Sequence, residues 1–379
     1  LSKKNPKSKG RNLKGFFIIP AFLIISFIIV GTGCSFFFKE HTLGNEPLVI
    51  PIHAGYAMNG PERRITIFNL DNNETVGNVN FIYKGEFMVG EDFYVDSDGK
   101  IYVTMLNTGI FKVKNKIRII NPSSGLEEDG IDVRVALNRI FDLGNSRILV
   151  TSNMSLYEDS AIDNVIVDLN KKKVVGNIYT KGFIDDVQSG GDDTFDIMVY
   201  GLLSLGLEDK KYMAHYCPAN DSEISEYREI DNKGIGKALN FIISNGYYYI
   251  NMGSNISLYN RNTLKRESII MSFPSSTGKM IKVNDKIYFV RYISDFNGND
   301  VDSVVVIDDN THQVIKNIKI PYGGPSDIKY SSYNNKIYVA NSCGEVVIVI
   351  DPETDCVTNT IRTSEESQRA GFKILRIRE

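Results

Sequence analysis

One unit recurs along the chain after residue 47, and this repeat restricts the possible folds more than any other feature. A copy consists of an apolar strand, an Asp or Asn, a polar turn and a second strand, as in 304–318 and 346–361. The marker positions are 69, 121, 168, 217, 260, 308 and 351, about 47 residues apart, with Cys217 in the poorest copy. No helical period lies between them. Seven such units predict an all-β fold, a seven-bladed β-propeller.

The remaining strands of the units predict how the ring closes. Segments rich in aromatic and β-branched residues, such as 101–104 and 337–341, supply the second strand of a unit. The apolar segment 371–377 has no partner after it, and 52–59 has the character of a second strand that lacks a first. We therefore predict that the N- and C-terminal strands pair within one blade, which closes the ring and removes a free sheet edge.

The later repeats resemble a known family. The segment Lys336-Ile337-Tyr338-Val339-Ala340-Asn341, followed by 347–351 and 357–361, resembles the YVTN-type β-propeller repeat. The similarity is good over 284–361, fair over 96–178 and weakest over 185–283, so the fourth blade is the least defined. The resemblance implies the fold of the YncE-like proteins, which are bacterial seven-bladed propellers that are often exported. It implies almost nothing about activity. WD40 repeats are disfavoured because the chain has no Trp.

The first 47 residues predict a membrane attachment. Six cations and no acid occupy residues 1–14, an apolar run covers 16–30, and small residues precede Cys34. This order resembles the lipoprotein signal peptide of bacteria, in which the Cys becomes the lipid-modified first residue of the mature chain. The alternative is an uncleaved signal anchor, because 15–38 carries no charge and is long enough to span a bilayer.

These observations divide the chain into three expected parts. Residues 1–33 are a lipoprotein signal peptide or a signal anchor, 34–47 are a tether, and 48–379 are the propeller. Both interpretations of the first part place the propeller at the cell membrane, on the extracytoplasmic side. With Cys34 as the lipidation site, the protein is lipid-anchored.

Charge and motifs exclude several functions. The chain has 43 basic and 46 acidic residues, and without the six N-terminal cations the net charge is −9. A chain this acidic, with no basic stripe, is a poor partner for nucleic acid. It has no P-loop, no HExxH, no GxSxG and no EF-hand, and its four His are scattered. The sequence therefore favours a binding module over an enzyme, and it assigns no catalytic residue.

Two sets of residues are candidates for ligand contacts. The acidic loop 295–302 offers oxygen ligands that suit Ca²⁺, namely Asp295, Asn297, Asn299, Asp300 and Asp302. The loops that lead into the innermost strands carry cations that could bind an anion at the channel, namely Lys181, Lys237 and Lys279. Both sets are expected on the same face of the ring, where loops from all blades converge. The marker Asp and Asn residues are expected to shape turns instead, because their side chains accept hydrogen bonds from turn amides.

The expected function is that of a membrane-anchored propeller that binds a protein, a peptide or a cell-wall glycan. The alternative is a propeller enzyme, either a lactonase-like hydrolase or a quinone-type dehydrogenase. That alternative requires an acid–base pair in the channel, and the absence of Trp opposes a quinone cofactor. A third hypothesis is single-stranded nucleic-acid binding, which has been proposed for some YncE-like proteins and which the negative charge opposes.

Overall fold

The computed structural model describes most of the chain from residue 48 onward. The described residues are 48–59, 64–80, 88–107, 115–133, 135, 137–152, 162–180, 182–191, 193–201, 210–218, 224, 226–230, 239–273, 278–292, 302–341, 346–363 and 373–378. The predicted signal segment, Cys34 and the tether lie outside them. Among the described residues, no helix is long and apolar enough to cross a membrane.

Twenty-eight strands form seven antiparallel four-stranded sheets arranged as a ring, which confirms the predicted seven-bladed propeller. From the innermost strand outward, blade 1 consists of β28 (Lys373–Arg378), β1 (Ala54–Asn59), β2 (Arg64–Asn69) and β3 (Thr75–Asn80), and blade 2 of β4 (Met88–Val95), β5 (Ile101–Asn107), β6 (Asn115–Asn121) and β7 (Leu126–Val133). Blade 3 consists of β8 (Leu137–Gly144), β9 (Arg147–Ser152), β10 (Ile162–Asp168) and β11 (Lys173–Thr180). Blade 4 consists of β12 (Gly182–Gly191), β13 (Thr194–Gly201), β14 (Lys211–Tyr216) and β15 (Tyr227–Glu229). Blade 5 consists of β16 (Asn240–Ser244), β17 (Tyr247–Asn251), β18 (Asn255–Asn260) and β19 (Arg266–Ser272). Blade 6 consists of β20 (Met280–Val283), β21 (Lys286–Arg291), β22 (Ser303–Asp308) and β23 (Gln313–Lys319). Blade 7 consists of β24 (Pro325–Ser331), β25 (Lys336–Asn341), β26 (Val346–Asp351) and β27 (Cys356–Arg362).

The position of each strand within its blade explains its sequence pattern. The third strands β22 and β26 are each buried at five successive positions, all of them apolar except Ser303, because a neighbouring blade covers each face of the sheet. The outermost strand β23 alternates between exposed and partly buried residues instead. This contrast is why the third strands carried the clearest part of the repeat.

The hydrophobic core is divided among the seven interfaces between adjacent blades, which we call seams. Each buried cluster contains residues of two neighbouring blades only, and the seven clusters account for all seven seams. For example, Tyr338 and Val347 of blade 7 pack with Phe68 and Leu375 of blade 1. Packing between adjacent blades therefore stabilises the ring, and polar groups can occupy its centre.

The chain termini close the ring as predicted. Strand β28 pairs antiparallel with β1, with Leu375 opposite Ala57. Leu375 is fully buried in the seam between blades 7 and 1. Blade 1 is therefore complete only when the two ends of the propeller chain are joined in one sheet.

The marker residues shape turns, as predicted. The marker side chain accepts a hydrogen bond from a turn amide in six of the seven copies: Asn69 from Asp71, Asn121 from Ser123, Asp168 from Lys171, Asn260 from Asn262, Asp308 from Thr311 and Asp351 from Glu353. The copy marked by Cys217, in blade 4, shows no such bond among the described residues, and its outermost strand β15 has only three residues.

The Tyr of the repeat has a role that the sequence did not indicate. Its hydroxyl reaches across the seam to an Asp or Asn in the outer turn of the next blade: Tyr249 to Asp309 (2.8 Å), Tyr288 to Asp355 (2.6 Å) and Tyr338 to Asn73 (3.1 Å). The ring carbons of these tyrosines are buried in the seams. The repeat therefore encodes contacts between blades as well as strands within blades.

We expect the substitution Tyr288→Phe to destabilise the ring. It removes the buried hydrogen bond to the Asp355 carboxylate, and such bonds to charged groups contribute about 1.5–3 kcal/mol. Chemical denaturation measures the change in the free energy of unfolding. The control is Tyr322→Phe, since Tyr322 is 64% exposed and its loss of a hydroxyl should change stability by under about 0.5 kcal/mol. Equal stability of Tyr288→Phe and the unsubstituted protein would contradict the role given to the hydroxyl.

Candidate functional site

The innermost strands begin at the face of the ring where the loops from the preceding blades arrive, and we call this opening the channel mouth. Their register with the second strands puts polar residues of six innermost strands at the same level there. In blades 2, 3, 5, 6 and 7 these mouth residues are Asp92, Arg139, Asn240, Lys279 and Asp327, and in blade 4 a bulge places Asp185 and Asp186 there. All of them are polar, although the residues that follow them pair within the blades. The channel therefore begins with a ring of polar and charged side chains.

Three carboxylates at this level join neighbouring innermost strands. Each accepts a hydrogen bond from a backbone N–H of the next blade: Asp92 from Ile140 (2.9 Å), Asp186 from Phe241 (3.0 Å) and Asp327 from Leu375 (2.9 Å). Asp92 and Asp327 are almost completely buried. These bonds fix the spacing of the innermost strands, so the groups around the mouth are held on a rigid frame.

Most of the cations at the mouth are engaged with these acids. Arg376 Nη2 lies 2.7 Å from Asp92 Oδ1, and its Nε donates to the carbonyl of Phe93. Lys211 pairs with Asp185 and lies over the ring of Tyr200. Because both cations are bound by the protein itself, neither is available to a ligand without the loss of an internal contact.

Two further cations at the mouth, Lys279 and Arg139, lie close to the starts of innermost strands. Lys279, one of the three lysines predicted to face the channel, lies 3.3 Å from Asp327 Oδ1 and keeps 41% of its side chain exposed. Arg139 donates a hydrogen bond to the carbonyl of Asp185 in the next blade. Lys279 therefore combines an internal ion pair with access to solvent.

Lys329 is different, because its ammonium has no partner among the described residues. It lies on β24 two residues after Asp327, on the same face of the strand. No described group is within hydrogen-bond or ion-pair distance of its Nζ. Burial lowers the pKa of Lys329 to about 8, a shift that Asp327 opposes and that Arg376 and Lys279 increase. A partly buried amine without a counterion, close to other cations, is a candidate anchor for an anionic group.

The carboxylates at the mouth have pKa values that move in opposite directions. Burial raises the pKa of Asp186, against the effects of its hydrogen bond from Phe241 and of the charge on Arg139. Burial acts in the same way on Asp327, but Lys279, Lys329 and Arg376 together hold its pKa below the usual value. Asp327 is therefore a stable anion, while Asp186 can carry a proton closer to neutral pH.

The described charges at the mouth have a positive balance, although the chain as a whole is acidic. The described cations at the mouth are Arg139, Lys211, Lys279, Lys329 and Arg376, and the described carboxylates are Asp92, Asp185, Asp186 and Asp327. Protonation of Asp186 would increase this difference. In a channel surrounded by protein, an excess of positive charge favours anions.

The structure places some of the residues predicted to bind ligands. Lys279 is at the mouth, while Lys181 and Lys237 lie outside the described residues. Asp302 accepts a hydrogen bond from the N–H of Gly324 and so braces the loop that leads into β24. The other predicted calcium ligands, Asp295, Asn297, Asn299 and Asp300, also lie outside the described residues, and the calcium site stays a prediction. Within the described ranges, no group of three His, Cys, Asp or Glu side chains is arranged to hold a metal ion.

Sequence reasoning missed the residues that matter most at the mouth, namely Lys329, Asp186, Asp327 and Arg376. A signal for them existed in the innermost strands, where a charged residue precedes an apolar one in 92–93, 139–140, 279–280 and 327–328. Alignment of these strands would have brought the charged level into view. It would not have indicated which charge lacks a partner, since that depends on the neighbouring blades.

No protein-family model and no curated protein matches the chain in sequence. Solved structures match its fold. The periplasmic gluconolactonase of Pseudomonas aeruginosa gives a TM-score of 0.61 at 12% identity, covering 86% of this chain and 99% of that one. A candidate 6-phosphogluconolactonase from Bacteroides uniformis gives 0.58 at 8% identity, with 86% and 100% covered. The dihydro-haem d1 dehydrogenase NirN gives 0.54 at 12% identity, with 86% and 68% covered.

The chain is thus a seven-bladed β-propeller with structural neighbours of the gluconolactonase type. At these identities the likeness extends to the fold alone. The neighbours include both hydrolases and a dehydrogenase, so the same ring carries unrelated chemistry in different proteins. Any function specific to this chain therefore depends on the residues of its own channel mouth.

Proposed function

We propose that the protein binds a small anionic ligand at the channel mouth, with Lys329 as the group that holds the negative charge. The observation that supports this most is the ammonium of Lys329, which has no described partner, while the nearby cations Lys279 and Arg376 are paired. Lys279, which is partly exposed, is placed to contribute a second contact when its bond to Asp327 rearranges. The hydrogen bonds between innermost strands keep the site in shape before the ligand arrives.

The proposal retains the expected location of the protein. Residues 1–47 would hold the propeller at the cell membrane, through lipid on Cys34 or through a signal anchor, on the extracytoplasmic side. The propeller would there act as a receptor for a small acid present outside the cytoplasm. Sugar acids are the first compounds to test, because two structural neighbours are described as acting on gluconolactones.

The test is calorimetric titration of the full chain with gluconate, 6-phosphogluconate and inorganic phosphate, with glucose as the neutral reference. We expect saturable binding of at least one anion and none of glucose. Lys329→Met should weaken that binding at least about tenfold, because one charge-assisted contact is lost. Lys265→Met is the matched control, since Lys265 is exposed on an outer turn of blade 5. Equal binding by the two variants would rule out Lys329 as the anchor.

The affinity for the anion should depend on pH, because the ammonium of Lys329 has a lowered pKa. The protonated amine is the form that attracts an anion, and burial lowers its pKa to about 8. Between pH 7 and pH 9 the protonated share falls from about nine-tenths to about one-tenth, so the affinity should decrease about tenfold. Lys329→Met should remove this dependence. An affinity that is constant over this range would mean that another group, with a higher pKa, binds the anion.

A lactone hydrolase is the second candidate, and the raised pKa of Asp186 is the observation that favours it. In that reaction the oxygen of water bonds to the lactone carbonyl carbon, the ring C–O bond breaks, and a proton from water reaches the released ring oxygen. Asp186 would take the proton from water and return it to the leaving oxygen. Lys329 would stabilise the negative charge that develops on the carbonyl oxygen.

The hydrolase is tested by proton release from glucono-δ-lactone at constant pH. The unsubstituted protein should release acid faster than the spontaneous reaction, and Asp186→Asn should lose this activity but still bind gluconate. Asp132→Asn, an exposed position of blade 2, is the control. Acid release at only the spontaneous rate would reject the hydrolase and leave the binding proposal to its own test.

A further inference from the structure

A second cavity lies away from the channel, in the seam between blades 3 and 4. Its volume is about 380 Å³, a size that suits a small molecule. It lies among the β8–β9 turn, the β12–β13 turn and the end of β14, all of which are on the face of the ring opposite to the channel mouth. Apolar side chains of both blades line it, including Leu143, Ile166 and Phe195.

Two polar groups in this cavity form no hydrogen bond and no ion pair with any described residue. Arg147 is at the start of β9, and Asp168, whose pKa the charge of Arg147 helps to lower, lies beyond ion-pair distance of its guanidinium. Tyr216 is 2% exposed, and no described group forms a hydrogen bond with its hydroxyl. Burial raises the pKa of Tyr216, and the charge of Arg147 acts in the opposite direction, which indicates that the two groups are close. A guanidinium and a phenolic hydroxyl together can bind a carboxylate.

In blade 1, a side chain of the protein fills the space that is equivalent to this cavity. Gly176 of β11 pairs with Ile166 at the residue before a bulge, and Gly77 of β3 pairs with Ile67 in the same way. A Cβ on Gly77 would approach within 2.5 Å of the Leu48 side chain, which fills the space over the glycine. A Cβ on Gly176 would meet only Ile166, at 3.7 Å. In blade 1 the chain supplies its own apolar group, and in blade 3 no described residue does.

We propose that the cavity between blades 3 and 4 is a second ligand site, which binds a small monocarboxylic acid with an apolar body. The apolar body would lie over Gly176, where Leu48 lies in blade 1. The carboxylate would be held by the guanidinium of Arg147 and the hydroxyl of Tyr216. Asp193 also lines the cavity, and its negative charge would disfavour ligands with a second carboxylate. This site is separate from the channel mouth and does not depend on the function proposed there.

The experiment titrates the full chain with octanoate and phenylacetate, with 1-octanol and 2-phenylethanol as neutral analogues, and follows ligand NMR signals. We expect saturable binding of at least one of the two acids. Arg147→Met should weaken it about tenfold or more and should leave the neutral analogue unaffected. Arg266→Met, at an exposed position of blade 5, is the matched control and should change nothing.

A second variant tests the apolar part of the site. Gly176→Leu should fill the cavity from within, and it should abolish binding of both acids without lowering the melting temperature, because the new Cβ has room. Binding that survives Gly176→Leu, or that is equal for acid and alcohol and insensitive to Arg147→Met, would overturn the proposal. Absence of saturable binding by either acid would overturn it as well.

Discussion

A chain that ends at residue 372 is expected to lose the closed ring. The truncation removes β28, leaves the edge of β1 unpaired and opens the seam between blades 7 and 1, where Leu375 is fully buried. It also removes Arg376, which leaves the buried carboxylate of Asp92 without its cation. Loss of a buried Leu and of one member of a buried ion pair each cost about 2–5 kcal/mol. The sum is comparable to the total stability of a typical domain.

Size-exclusion chromatography and thermal denaturation measure this outcome. The truncated chain should elute as aggregate or as an expanded monomer, whereas a chain that ends at residue 378 should behave like the intact one. A synthetic peptide of residues 373–378, added in excess, should partly restore the compact form, because it can add to the free edge of β1. A compact truncated chain that melts within about 2 °C of the intact protein would show that β28 does not close the ring.

The second large effect is expected for Asp92→Ala. The Asp92 carboxylate accepts hydrogen bonds from the N–H groups of Phe93 and Ile140 and pairs with Arg376, and it is 5% exposed. Its removal takes this acceptor from two amides and leaves the largely buried guanidinium of Arg376 with backbone carbonyl acceptors but no counterion. Removal of one partner from a buried ion pair costs about 3–5 kcal/mol. We expect a loss of this size in the free energy of unfolding.

A double-mutant cycle separates the ion pair from the amide contacts. Arg376→Met alone should also destabilise, but Asp92→Ala with Arg376→Met should cost less than the two single substitutions together, by about 1–3 kcal/mol. Asp132→Ala, at an exposed position of the same blade, is the control and should change stability by under about 0.5 kcal/mol. Additive losses would mean that Asp92 acts only through Phe93 and Ile140.

The fold could be predicted from the sequence because its strongest signals are local. The third strands are covered on both faces, so segments such as 304–307 and 346–350 are unbroken apolar runs. The outer turns need an acceptor for their amides, so an Asp or Asn recurs at a fixed distance after each run. The fourth blade was harder to define because its marker is Cys217 and its outermost strand has three residues.

The candidate site could be predicted only in part, because its properties come from contacts between blades. Lys279 was found from its position in a loop before an innermost strand. Nothing local distinguishes Lys329, without a partner, from the many lysines that have one. Its state depends on Asp327 being occupied by the N–H of Leu375 and by Lys279, which are on two other blades. The cavity over Gly176 is equally non-local, since it depends on the lack of a described side chain in the place that Leu48 takes in blade 1.

The pairing of β28 with β1 also determines when the protein can fold. Arg378 donates a hydrogen bond to Ile52, across 326 residues of sequence, so blade 1 cannot form while the chain is still being made. Before β28 is synthesised, blades 2 and 7 each lack a complete neighbouring blade on the side of blade 1. The seam between blades 7 and 1 therefore closes last, when β28 adds Leu375 to it and Arg376 pairs with Asp92.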